Sequence, residues 1–459
     1  MPKRKKAAPQ PPLMSRTGVS QDMAAASLGG GATTQQSSWR LPVAHSAPVF
    51  DAADEAGFTA YLEEHGYCVI EVLTEAEREA AEDIFWDEAL ATLGWVRGEP
   101  ATWHCNQRMC TMALSRSDCG HMRGWDFSRF QLALLRNAAV RRVYAHLNRR
   151  FASPRPADYD DQLASFNSIN VFRPFGLHEG WRTTAEPWYH VDNDSRPERT
   201  RPHGGLVFPG VVNLYEVSAA TGGFVAVPKS HAAYQPRGAT TSEIGGSGYL
   251  DVRAYTNYID SEPNQRTGNT LHTQPILVCT GGRRGTLTIW DPRLVHCSTS
   301  SLLPAEANPR ASEPRPLRLA GFVSLCPRAW ASAEALSARK RLVEERTCLN
   351  TQIPYAVVTQ RRFPAVAFDE SLWDDPLAVR MLGIDGHAAT HAASHAAEHE
   401  HTDVGTVSDA DGAGGAGAMG VAGAGPRGAG GVVVAEEVEA AAALARGRFT
   451  RAAAFVPAA

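Results

Sequence analysis

Four residues of this 459-residue sequence have the types and order needed to hold a metal ion and an organic acid: His190 and Asp192 in "EPWYHVDNDS", His296 in "WDPRLVHCSTS" and Arg318 in "RPLRLAGFVSL". Residues i and i+2 project to the same side of an extended strand, so His190 and Asp192 can reach one ion while Val191 faces away. Two imidazoles and one carboxylate are the donor set of non-haem Fe(II) oxygenases, because they leave coordination positions open for a keto acid and dioxygen. A fixed guanidinium at Arg318 suits the far carboxylate of 2-oxoglutarate through a bidentate, charge-assisted pair. The triplet alone says little, since His401-Thr402-Asp403 repeats it in a low-complexity tail. Four elements in order, each bordering a β-prone run, say more. His203 and His231 lie nearby, but in a Pro/Gly-rich turn and a hairpin, and are not expected to be ligands.

The elements that must position these residues can be read from periodicity. The stretch "AGFTAYLEEHGYCVIEVLTEAEREAAEDIFWDEALATLGW" predicts helix, strand, helix, with Thr74 as an N-cap. The stretch "FQLALLRNAAVRRVYAHLNRRF" has apolar residues at helical spacing. From residue 165 short β-prone runs follow: "SFNSINVF", "GLVFPGVVNLYEV", "GGFVAVP", "QPILVCT", "GTLTIWD" and "LRLAGFVSL". Gly and Pro clusters separate them, which predicts an antiparallel barrel or sandwich behind N-terminal helices. The fold class expected is α+β with a mainly β core. Residues 1–48 are rich in Pro, Gly, Ser and Gln and should form a disordered basic arm; residues 381–459 are a low-complexity His/Ala/Gly tail. The folded domain is then 49–380.

The segments "WYHVDND" and "GLVFPGVVNLYEVSAATGGFVAVPKSH", with "WDPRLVHCSTS", "RPLRLAGFVSL" and the entry "HGYCVIEVLTEAERE", resemble the phytanoyl-CoA dioxygenase-like family over about residues 55–330, and more loosely to 370. The resemblance implies a double-stranded β-helix (jelly-roll, cupin-like). It implies His190, Asp192 and His296 as iron ligands and Arg318 as the 2-oxoglutarate anchor, with Arg173 in "NVFRPF" as a basic residue near the co-substrate. The activity implied is an Fe(II)- and 2-oxoglutarate-dependent dioxygenase that uses O2 to hydroxylate a small metabolite or a lipid acyl chain. Two positions depart from the family pattern: Lys229 stands where a glycine is usual in the "PKSH" hairpin, and Cys297 replaces the glycine after the distal histidine. The insert at 232–284 is long for a loop and is expected to act as a lid.

Composition sets the remaining bounds. A net charge of −4 gives no overall field toward nucleic acid or anionic membrane, and no apolar run is long enough for a signal peptide or a membrane span. A soluble intracellular protein, cytoplasmic or nuclear, is expected. Lys3, Arg4, Lys5 and Lys6 resemble a short nuclear import signal, with a solvated basic terminus as the plain alternative. A nuclear nucleic-acid or chromatin oxygenase and a non-catalytic metal-binding interaction module are the rival functions. Oligomeric state is left open. The eight cysteines are scattered and expected to be reduced thiols; His104, Cys105, Cys110, Cys119 and His121 do not have the spacing of paired zinc knuckles. His387, His391, His395 and His399 recur every four residues in the tail, as repeat expansion or as a weak metal scavenger. Alanine at His190 or Asp192 is expected to abolish metal binding and alanine at His401 or Asp403 to leave it unchanged, as read by equilibrium dialysis of the purified variants.

Overall fold

The computed structural model describes residues 41–104, 120–152, 158–181, 189–192, 206–232, 250–251, 274–349, 351–355 and 362–385, with backbone only at 179 and 250–251. These fall within the unit spanning residues 1–395. The basic N-terminus, Cys105, Cys110, Cys119, His203, most of the 232–284 insert and the tail from 386 lie outside the described residues.

Two short strands open the described chain, β1 (Val43–Ser46) and β2 (Val49–Asp51). β1 pairs in parallel with Ile276–Cys279, so strand structure begins six residues before the boundary at 49 that composition suggested. Capping chemistry then sets the helices. Asp54 accepts from the Gly57 amide to start α1 (Glu55–His65), and Gly66, at φ +82°, ends it in the left-handed region. β3 (Tyr67–Glu71) follows at once, and Thr74 with Glu77 forms the reciprocal capping box that starts α2 (Glu75–Leu93). After β4 (His121–Met122), the stretch with apolar residues at helical spacing forms two helices, α3 (Arg129–Arg136) and α4 (Ala138–Phe151). The cause is Asn137, whose side chain accepts from the Ala139 and Val140 amides and so caps a second helix.

Two sheets carry the rest. One has six strands in the order β1, β11 (Ile276–Cys279), β9 (Gly223–Ala226), β13 (His296–Thr299), β7 (His190–Val191), β10 (Leu250–Asp251). The other has seven: β2, β3, β12 (Thr286–Trp290), β8 (Gly210–Asn213), β14 (Arg318–Val323), β6 (Ile169–Phe172), β4. Among the named strands of the described residues, β1 with β11 and β2 with β3 pair in parallel and the other pairs are antiparallel. Smaller pairs join β5 (Gln162–Ala164) to β15 (Leu325–Pro327) and β16 (Thr347–Cys348) to β17 (Phe363–Pro364), with α5 (Ala333–Glu344) and α6 (Pro376–Leu382) closing the unit. All six β-prone runs contain a strand. Among the described residues they form two open sheets and no closed barrel. No helix of the described residues is long and apolar enough to cross a membrane.

Alternation along the strands sorts the core into layers. Ile70, Val212, Leu287, Ile289, Leu319 and Val323 of the seven-stranded sheet pack with Phe85, Phe130, Leu134 and Tyr144 of the helices. The residues between them in sequence, Val69, Val211, Trp290, Ala320 and Phe322, pack instead with Phe224, Ala226, Ile276 and Val278 of the six-stranded sheet. The faces that meet in this second cluster form the interior between the sheets. The outer side of the six-stranded sheet has its own cluster, with Tyr189, Val191, Val225, Leu277 and Cys297.

One buried cation ties the C-terminal elements to this frame. Arg339 of α5 is fully buried and donates to the carbonyls of Leu382, Pro354 and Ala164, with its guanidinium 3.9 Å from the centroid of the Phe166 ring. Burial pushes it down to about 9, and the three carbonyls, one at the C-terminal end of α6, supply the compensating negative dipoles. Arg339→Met strands those acceptors. It is expected to cost at least about 3 kcal/mol, seen as a lower urea midpoint at unchanged slope.

Candidate metal centre

His190 and His296 are brought together by strand register. They are direct partners in the antiparallel pairing of β7 with β13, and His296 also pairs with Ala226 of β9, whose side chain faces the interior. His190 is therefore in phase with the interior, and its neighbours Tyr189 and Val191 are packed in the outer cluster. Asp192 follows just beyond the strand, its amide donating to the Pro292 carbonyl at 3.1 Å. The turn that delivers His296 is held by Asp291, which accepts from the Arg293 amide at 2.8 Å and pairs with the Arg293 guanidinium at 2.6 Å. The Ser230 hydroxyl accepts from the Val295 amide at 2.8 Å. That is a structural reason for the aspartate and arginine of "WDPRLVH".

The ligand atoms of His190, Asp192 and His296 all lie within 4.8 Å of one another. Asp192 Oδ1 is 3.4 Å from His190 Nε2, and Oδ2 is 3.2 Å from His296 Nε2. The His296 Nδ1 lies 2.9 Å from the Leu294 carbonyl, which can only accept, so Nδ1 carries the proton and donates. In the neutral ring Nε2 is then a bare lone pair aimed at a carboxylate oxygen. Two acceptors at that distance repel unless a proton or a cation stands between them, and the donor set fits a divalent metal. Burial by itself would raise the Asp192 carboxyl; positive charge on the facing imidazoles, His296 foremost, outweighs it and holds the group well below the usual carboxylate range, a part that a bound cation takes over when the rings are neutral. The aromatic wall is Phe224, stacked on Trp290 at 4.6 Å, with the His296 ring 5.1 Å from Trp290.

Arg318 opens β14 on the interior side, opposite Phe172, with its guanidinium 5.4 Å from that ring and donating to Ser298 Oγ at 3.1 Å. Ser298 is two residues beyond His296 on the same strand face, an advance of roughly 7 Å. Arg315 is half-exposed and bonded to Glu313. Arg173 goes elsewhere: it donates to the Trp103 carbonyl at 2.8 Å and lies 4.7 Å from the Trp181 ring, and burial pushes it down to about 10. Its expected place beside the co-substrate gains no support from these contacts.

His231 bonds the Glu63 carbonyl at 3.0 Å through Nε2, turned toward α1 and outside the three-residue group. His121 reaches the interior, stacked at 4.8 Å on Phe322, and burial pushes it down to about 3. Neither departure from the family pattern intrudes. Cys297 packs on the outer side of its sheet, and Lys229 keeps the left-handed backbone a glycine would adopt, at φ 67°, with Nζ on Glu64. Of the insert, β10 is described and pairs with β7, Asp251 opposite His190. Most of the insert expected to act as a lid, residues 233–249 and 252–273, lies outside the described residues. Trp290 and Ser298 were not singled out from sequence, although the period-two phase of "TLTIWD" and "HCST" carries both.

No family model matches the chain, and no curated protein matches it. Among solved structures, GlcNAc Inducible Gene 2 (GIG2, DUF1479) from Candida albicans is similar at 12% identity and TM-score 0.46, over 78% of this chain and 86% of that one. The hypothetical protein JW0805 from Escherichia coli matches at 12% identity and TM-score 0.42, over 74% and 86%. The non-heme alpha ketoglutarate dependent epimerase SnoN from nogalamycin biosynthesis matches at 17% identity and TM-score 0.37, over 60% and 83%. At such identities and TM-scores, function has to be read from the site itself. Zn(II) or Co(II) at one hundred times its dissociation constant is expected to stabilise the protein by about 2.7 kcal/mol, a rise in melting temperature that His296→Ala removes.

Proposed function

We propose that this chain is an Fe(II)- and 2-oxoglutarate-dependent dioxygenase of the phytanoyl-CoA dioxygenase-like type, built on a double-stranded β-helix, that hydroxylates a small metabolite or a lipid acyl chain. The observation that carries the reading is the convergence of His190, Asp192 and His296 within 4.8 Å, with the His296 tautomer set so that Nε2 faces the carboxylate. The opposed sheets, joined by an apolar cluster between them, support the double-stranded β-helix.

When bound, Fe(II) supplies the coupling of dioxygen reduction to oxidative decarboxylation of 2-oxoglutarate to succinate and CO2, with one oxygen atom going to the substrate. The residues do the positioning. His190 and His296 would present imidazole nitrogens to the ion and Asp192 a carboxylate, whose charge the ion would balance. Arg318, which donates to Ser298 one i, i+2 step beyond His296 on β13, would offer its cation to the distal carboxylate of 2-oxoglutarate. Phe224 and Trp290 pack in the apolar cluster between the sheets, and Phe172 lies opposite Arg318 in the β14–β6 pairing.

Arg318→Leu is expected to weaken 2-oxoglutarate binding by about 2 to 5 kcal/mol, roughly 30-fold or more, without changing metal content. Arg315→Leu is expected to bind as wild type. Calorimetric titration of the anaerobic iron-loaded protein measures both, and succinate release on admitting oxygen tests the reaction. Equal affinity in Arg318→Leu and wild type would sink the anchor assignment.

A further inference from the structure

The Trp290 indole N–H points at the metal site, although an indole cannot ligate an ion. Nε1 donates to Asp192 Oδ2 at 2.8 Å, the oxygen that also faces His296 Nε2. Trp290 is nearly fully buried, its amide donates to the Pro209 carbonyl, and its ring is stacked on Phe224 with 28° between planes. The donor is therefore fixed in place before any ion arrives. Asp192 is fixed at its backbone too, through the bond from its amide to Pro292. What remains to be set is the pair of side-chain torsions that aim the carboxylate, and the indole hydrogen bond to Oδ2 restrains both.

We infer that Trp290 is a positioning residue that engages one oxygen of Asp192 and leaves Oδ1, the oxygen beside His190, as the single carboxylate ligand. The inference rests on the iron reading above. It has a chemical consequence. A carboxylate free to rotate can chelate through both oxygens and take a further coordination position, whereas the proposed reaction needs three positions left open. A hydrogen bond to an ionised acceptor is about twice as strong as a neutral one, so the buried N–H competes well with the metal for Oδ2. Phenylalanine would fill much of the same space on Phe224 and offer no donor, which separates packing from positioning.

The test compares full-length wild type, Trp290→Phe and a protein with 3-benzothienylalanine at 290, which keeps the indole shape and replaces N–H by sulfur. Each is titrated with Co(II) against a competing chelator, its visible absorption is recorded, and its metal-free melting is measured. Both replacements are expected to bind Co(II) roughly 10- to 100-fold more weakly. They are also expected to alter the ligand-field absorption as the second carboxylate oxygen joins the ion. A purely packing role would lower metal-free melting and leave the spectrum of bound Co(II) as it is in wild type, and that result overturns the inference. If Trp290→Phe fails to fold, the benzothienyl protein decides by the same two readouts. Wild type that binds no Co(II) overturns the metal reading itself, whereas wild type and both replacements binding alike removes the role of Trp290 alone.

Discussion

A carboxylate lodged between two imidazole nitrogens is the constraint on which the rest of this protein turns. Asp192 is buried against both rings, and taking a carboxylate out of water is costly unless a proton on those rings or a cation meets it. The apparatus around it reads as provision for that positive charge. β7 and β13 bring the imidazoles into register, the Leu294 carbonyl fixes which nitrogen is free, and Trp290 binds the oxygen that would otherwise rotate.

The sheets make this possible by alternation. Every second residue of β13 and β14 faces the interior, so His296 with Ser298, and Arg318 with Ala320 and Phe322, belong to the space between the sheets. The intervening residues are free to serve other surfaces. Cys297 packs outside, and Leu319 packs on the helices. A single-residue slip in β14 would bury Leu319 where Arg318 now reaches Ser298, so register and chemistry are one property here.

The helical layer has a supporting part. α2, α3 and α4 cover the outer face of the seven-stranded sheet, and Tyr144 donates to the Val323 carbonyl at 2.9 Å, tying a helix to the strand that Arg318 opens. The C-terminus of α1 docks on the 228–231 hairpin: the Lys229 amide donates to the His65 carbonyl, and His231 meets the Glu63 carbonyl. The same hairpin supplies Ser230 to the turn before His296. Residues that look like catalytic candidates by type, His231 and Arg173, are thus occupied in holding elements together.

The sequence by itself determined the local features: the cap at Thr74, the six β-prone runs, and the phase that sends His190 one way and Val191 the other. These depend on dihedral preference and period, which act over a few residues. Asn137 was legible in principle, since an asparagine inside an apolar-periodic run competes for backbone amides, but periodicity alone does not show where one helix stops and the next begins. Only the tertiary structure decided that His190 lies opposite His296 and that β1 pairs beside β11. It also decided that Arg173 turns to Trp103 while Arg318 turns inward. Those outcomes depend on which residues, more than a hundred positions apart in several cases, are pressed together by burial, and no short-range pattern encodes that pairing.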